Sequence, residues 1–182
     1  MISRIIFQVF HGHEFFLFAF DYLSTILVAA ALALFFILWF YDGLKKNHFD
    51  WYIFFEVCLG LLLAFLISEW LIKSFPELRP ISYYYPQFQS FDSFPSRHTL
   101  FITTLAFVVF YNYFDFGLAL IFDSILVGLL RILALRHWPF DVLTGWVLGF
   151  LIALVAIEAV KFVFRRKTKK VKTKIKAGFQ KN

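Results

Sequence analysis

The sequence predicts an all-α fold, a polytopic membrane helix bundle of about five transmembrane helices preceded by an N-terminal interfacial helix. Three observations carry that reading. Hydrophobic residues make up 61% of the 182 positions and the mean hydropathy is +0.75, whereas ordinary soluble chains are only about half apolar. The apolar residues fall into five runs, each near the roughly 20 residues that cross about 30 Å of hydrocarbon. The charge is polarised: from Lys161 onward there are ten basic residues and no acid, leaving eight bases against 12 acids, a net of −4, in residues 1–160.

Residues 1–18 contain a short amphipathic piece interrupted at His11-Gly12-His13-Glu14. With Arg4 as a thin basic start and no small-residue cleavage site, this piece reads as a helix lying in the interface rather than a signal peptide. His11 and His13 read as solvent-facing polar residues in preference to a metal pair. The first span runs from about 21 to 41 and ends on Trp39 and Tyr41, an aromatic belt; residues 42–48 turn the chain. The second span covers about 49 to 72. A long connection, 73–95, holds four of the five prolines and the Tyr83-Tyr84-Tyr85 cluster, an interfacial belt or, alternatively, a lid. Spans three to five cover about 96–113, 116–135 and 139–164. The single cysteine, Cys58, excludes an internal disulfide.

Domain organisation follows: one membrane-embedded domain over 1–164 and a basic tail over 165–182. Basic residues beside a span favour the cytoplasmic side, which puts the C-terminus there and suits anionic headgroups near the tail. Juxtamembrane position accounts for that charge without nucleic acid. Counting spans back from the tail puts the Lys45-Lys46 turn in the cytoplasm, in independent agreement with the same rule. The connection 73–95 and the stretch Arg131–Asp141 then share the outer face.

Polar residues gather at that face. Ionisable groups at the edge of a span are costly unless paired or used. Pro139 suits the first turn of the fifth helix, which puts Asp141 close to the loop carrying His137. A carboxylate there is expected to accept from one ring nitrogen of His137, leaving the other as a nucleophile. Arg131, at the outer end of the fourth helix, offers a bidentate fork to phosphate oxygens. Pro95-Ser96-Arg97-His98 opens the third helix, with Ser96 as N-cap and a free helix N-terminus for an anion. His98 suits protonation of a leaving alkoxide. Lys73, Arg79, Arg97 and Arg131 together form an electrostatic clamp for a transferring phosphoryl group. Elsewhere, Glu69 and Lys73 form an i,i+4 pair. Glu56 and Asp123 read as helix–helix hydrogen-bonding groups ahead of chemistry, and Arg136 faces either headgroups or substrate. The alternative for Arg131, His137 and Asp141 is interfacial anchoring.

The order Lys73…Arg79-Pro80, Pro95-Ser96-Arg97-His98 and Arg131-x5-His137-x3-Asp141 resembles the three-part signature of the type 2 phosphatidic acid phosphatase superfamily. Its membrane members are lipid phosphate phosphatases, and vanadium haloperoxidases are soluble relatives. The resemblance covers about residues 73–150. It implies that His137 attacks phosphorus to give a phosphohistidine, that Asp141 orients it and that His98 is the acid. It further implies that Lys73, Arg79, Ser96, Arg97 and Arg131 bind phosphate, with no metal and no other cofactor. The sequence departs from the family pattern in three places. Lys73 and Arg79 enclose five residues, one fewer than usual; Arg97 stands where glycine is usual; Leu130 stands where serine is usual.

The resemblance implies a multi-pass enzyme of the bacterial cytoplasmic membrane with its site on the outer face, acting on a lipid phosphate or pyrophosphate. The compact chain looks most like phosphatases of undecaprenyl diphosphate. Phosphatidylglycerophosphate, phosphatidate and lipid A phosphate stay open as substrates, as does phosphotransfer to a second lipid. From another class, the chain reads as a non-catalytic lipid-phosphate binder or transporter.

Overall fold

The computed structural model describes residues 2–10 and 14–179, with side chains as far as Phe164. Met1, His11, Gly12, His13 and residues 180–182 lie outside the described residues, as do the side chains of the basic tail from Arg165. Among the described residues the chain forms seven α-helices and no strand: α1 Ile2–Phe10, α2 Glu14–Lys46, α3 Trp51–Ser74, α4 Pro80–Tyr84, α5 Arg97–Asn112, α6 Phe114–Leu133 and α7 Pro139–Phe179. A short 3-10 turn, Pro86–Phe88, follows α4.

Four helices, α2, α3, α6 and the segment Pro139–Phe164 of α7, are long and apolar enough to cross a membrane. The third predicted span, α5, has 16 residues, about 24 Å of helix. It is shorter than the others, and it is enclosed rather than lipid-facing. Nine of its residues are buried, among them Thr99, Thr103 and Thr104, and α3, α6 and α7 pack around it. Thr104 gives its hydroxyl proton to Leu100 O of its own helix (2.9 Å), and Thr103 bonds Ser124 on α6 (3.2 Å), so these polar groups are satisfied internally.

The principal apolar core joins Phe35 of α2, Ile53 and Val57 of α3, Leu105 and Val108 of α5, and Val127 of α6. Large apolar side chains such as Phe15, Leu62, Trp70, Phe122 and Phe162 point outward, as the wall of a multi-pass bundle in lipid requires. α7 lies close against α5 because two glycines permit it. A Cβ at Gly145 would stand 3.0 Å from Ser96 O, and one at Gly149 2.9 Å from Leu100 O.

Local signals fix the element ends. Asp50 caps α3 by accepting from Tyr52 N at 3.0 Å, and Lys45 and Lys46 end α2 where its dipole is negative. At that end of the bundle Asn112 gives a proton to Glu56 at 2.7 Å, in keeping with helix–helix hydrogen bonding. The opposite end is covered by the 75–96 connection and by α1. Phe7 of α1 stacks on Tyr84 with centroids 4.1 Å apart, and Tyr83 meets the edge of Trp138. Ile6, Leu17, Ile81 and Leu135 make a small core beneath.

Candidate active site

The site begins with Arg131 in the last turn of α6. Beyond it the chain folds back on itself. Arg136 and His137 both donate their N–H to Arg131 O, at 3.1 and 3.3 Å, while Leu135 takes a φ of 54°, the left-handed region that leucine rarely enters. The turn brings His137 over the guanidinium six residues before it. Leu135 O in turn accepts from Ile81 N at 2.8 Å, fastening the Arg79-Pro80 segment to the same turn.

His137 is buried, and two neighbours fix its tautomer. Nδ1 lies 2.6 Å from Ser93 O, an atom that can only accept. Nε2 lies 3.2 Å from Arg131 Nη2, a group that can only donate. Nδ1 therefore carries the proton, and the lone pair is on Nε2. Burial first, then the charges of Arg131 and Arg79, pushes the imidazole pKa well below its ordinary value, so the ring is neutral at neutral pH.

Asp141 differs from the expected arrangement. Its Oδ2 is 3.9 Å from His137 Nδ1, too far for a hydrogen bond. It accepts instead from Trp138 N at 2.8 Å and from Ser93 Oγ at 2.6 Å. The first contact is the back-reaching half of a capping box, drawn by the orphan N–H at the start of α7. The second tethers the residue whose carbonyl orients His137, so Asp141 reaches the histidine through Ser93. Ser96 differs as well. It precedes α5 but makes no capping bond with its side chain; its hydroxyl bonds Thr99 Oγ1 at 2.8 Å, and its N–H goes to Asp141 O at 3.2 Å.

His98, in the first turn of α5, has Nε2 3.2 Å from Thr25 Oγ1 on α2. Three residues of α2 thus enter the site, none marked by the sequence motifs: Thr25, Ser24 and Asp21. Asp21 pairs with Arg131 and, at 2.7 Å, with Arg136, and Ser24 accepts from Arg131 at 3.3 Å. Arg136 therefore belongs to this cluster.

A second cluster lies on the 75–96 connection. Arg79 pairs with Asp92 at 2.7 Å, and Arg97 with Asp92 at 3.3 Å and Glu69 at 2.9 Å. Burial raises the Asp92 pKa, but the Ser90 hydroxyl and the two arginines outweigh it and hold the carboxyl below the usual range. Glu69 thus pairs with Arg97 across helices at 2.9 Å, not with Lys73 along its own, where an exposed i,i+4 pair is worth only about a few tenths of a kcal/mol. Lys73 is exposed at the end of α3 and joins none of these pairs.

The structure therefore gathers Arg79, Arg97, His98, Arg131, His137 and Asp141 at one end of the bundle and adds Asp21, Ser93 and Arg136. The Nε–H groups of Arg79, Arg131 and Arg136 are buried with no acceptor among the described residues. Buried donors of this kind suit the several oxygens of a phosphate. Ser93 carried no sequence signal, since its orienting atom is a backbone carbonyl. Asp21 carried one: a carboxylate at the start of a long apolar run.

The profile of the PAP2 superfamily matches residues 53–165. An undecaprenyl-diphosphatase of Sulfolobus acidocaldarius is 26% identical over 106 residues, 55% of this chain and 52% of that protein, so the match spans about half of the relative's length. The crystal structure of Aquifex aeolicus LpxE superposes with a TM-score of 0.62 at 22% identity, covering 86% of this chain and 92% of that one. A PAP2-type phosphatidylglycerolphosphate phosphatase from Bacillus subtilis gives 0.52 at 19% identity, covering 90% and 92%. Both share the fold.

Proposed function

The chain belongs to the PAP2 superfamily, and from that premise we propose that it is an integral membrane phosphatase that cleaves a phosphate or diphosphate headgroup through a phosphohistidine. The observation that carries the reading is the tautomer of His137: Nδ1 is committed to Ser93 O and the lone pair of Nε2 faces Arg131.

In the proposed reaction His137 Nε2 attacks phosphorus, forming a P–N bond as the P–O bond to the lipid breaks. His98 gives its proton to the departing oxygen. Water then attacks the phosphohistidine with His98 as base, returning Nε2 and releasing inorganic phosphate. Arg79, Arg97 and Arg131 stabilise charge on the transferring oxygens, with Arg136 beside Arg131, Ser96 buried behind them at the start of α5 and Lys73 at the periphery. Ser93 O keeps the Nδ1 proton in place, and Asp141 holds Ser93. No metal takes part in these steps.

The substrate we favour is undecaprenyl diphosphate, the lipid in the name of the Sulfolobus relative. Phosphatidylglycerophosphate, in the name of the Bacillus structure, is the runner-up. The domain over 1–164 would hold the site at the outer face of the cytoplasmic membrane, with the tail over 165–182 inside against anionic headgroups. Phosphate release in detergent with EDTA present, from undecaprenyl diphosphate, phosphatidylglycerophosphate and phosphatidate, tests this. Release by the wild type and its loss in His137→Ala are expected. No release from any of the three, with lipid still bound, would favour a non-catalytic binder.

A further inference from the structure

Asp21 occupies an unusual position for a residue outside the matched 53–165 region. Its two carboxylate oxygens take one arginine each: Oδ1 accepts from Arg131 Nη1 and Oδ2 from Arg136 Nη2 at 2.7 Å. Arg131 is 3% exposed and Asp21 25%, so the pair is largely withdrawn from water but still reachable. Two oxygens between two guanidinium forks is how the same arginines would hold a phosphate. The arginine that Asp21 holds also has Nη2 on His137 Nε2, at 3.2 Å. That contact occupies the lone pair that must attack phosphorus.

We propose that Asp21 is the resident anion of the phosphate site. In the ligand-free protein it occupies Arg131 and Arg136, and phosphate binds only by displacing it. The proposal rests on the phosphatase reading of this site and deepens it. Displacement would turn Arg131 from Asp21 toward phosphate and withdraw Nη2 from Nε2, so that loading the clamp uncaps the nucleophile. Every anion pays the same factor, the ratio of the Asp21-held to the open arrangement, which sets a threshold of affinity rather than a ranking. A terminal phosphate, with about two negative charges, clears that threshold more readily than the singly charged phosphodiesters of surrounding headgroups. After turnover, the return of Asp21 helps expel inorganic phosphate.

The sign of one measurement separates this role from simple positioning of the arginines. If Asp21 competes, removing its charge tightens phosphate binding; if it only holds Arg131 in place, removal weakens it. The dissociation constant of inorganic phosphate is measured by calorimetry on the full chain in detergent, for wild type, Asp21→Asn and Asp21→Glu. We expect Asp21→Asn to bind at least about fivefold tighter and Asp21→Glu to stay within about twofold of wild type. Unchanged or weaker binding by a folded Asp21→Asn overturns the proposal. Asp21→Ser replaces it if the amide variant does not fold. A structure of the wild type with inorganic phosphate bound gives a check free of any variant: Asp21 released from Arg131 supports the proposal, and Asp21 still paired beneath bound phosphate overturns it. Turnover on the same preparations keeps the failures apart. No lipid phosphate hydrolysis together with tighter binding by Asp21→Asn removes the phosphatase reading alone; normal hydrolysis without tighter binding removes only the role of Asp21.

Discussion

His137 gives its Nδ1 proton to the backbone carbonyl of Ser93 across 2.6 Å, and the hydroxyl of the same serine goes to Asp141 across 2.6 Å. The histidine is thus oriented by a carbonyl, and the carboxylate stabilises the segment that carries it. Ser93→Ala keeps the carbonyl and loses the tether, so kcat should fall about tenfold with KM within about twofold. Asp141→Ala also strands the half-buried Trp138 N–H and should cost about a hundredfold in kcat. Steady-state kinetics on the two variants checks the order.

His98→Ala should show the signature of a missing general acid. Turnover of an alkyl phosphate lipid should drop by a factor on the order of 100 or more. Turnover of a nitrophenyl phosphate, whose leaving group needs no proton, should drop less than about tenfold. Comparing the two substrates on one preparation is the test.

The depressed pKa of His137 has a signed consequence for stability. An unfolded chain takes up a proton on this ring near pH 6.5, while the folded one resists because the ring is buried beside Arg131 and Arg79. Its contribution is therefore fully present above pH 6.5 and is lost as pH falls from there toward the folded-state value. Thermal unfolding between pH 7.5 and 5.5 should show a smaller loss of Tm in His137→Gln than in the wild type.

Gly149 lets α7 approach α5, which sets the distance between the histidines. Gly149→Val would drive side-chain carbon into Leu100 O and Thr103, costing about 1–3 kcal/mol. A lower Tm accompanied by lower kcat is expected, since the clash moves Asp141 and His98 apart.

Lys73 stands outside both clusters, and Arg131 lies at the centre of one. Lys73→Met should change KM by less than about twofold, in line with an exposed charge. Arg131→Gln should lower kcat/KM by a factor on the order of 100 or more, as expected for a buried donor to the transferring group. The same lipid substrate assay reads both.

The sequence made the long helices legible because a membrane demands uninterrupted apolar runs, and the charged islands between them stood out for the same reason. The ends of α3, α5 and α7 fell within two residues of the expected boundaries where Asp50, Ser96 and Pro139 mark them, apart from the extension of α7 beyond Phe164. Pairings were legible only where chain proximity decides them. Glu69 chose Arg97, 28 residues away, over its i,i+4 neighbour. Asp21 meets Arg131 across 110 residues, a contact no local pattern records. Ser93 acts through its carbonyl, which its residue type does not encode.

The central claim is that His137 carries the phosphoryl group. A lipid substrate labelled on its terminal phosphate, mixed with enzyme in EDTA and quenched within the first turnover, tests it most directly. An alkali-stable, acid-labile label is expected on the peptide holding His137, absent from His137→Ala along with turnover. Undiminished turnover in His137→Ala, with no label on that peptide, would contradict it.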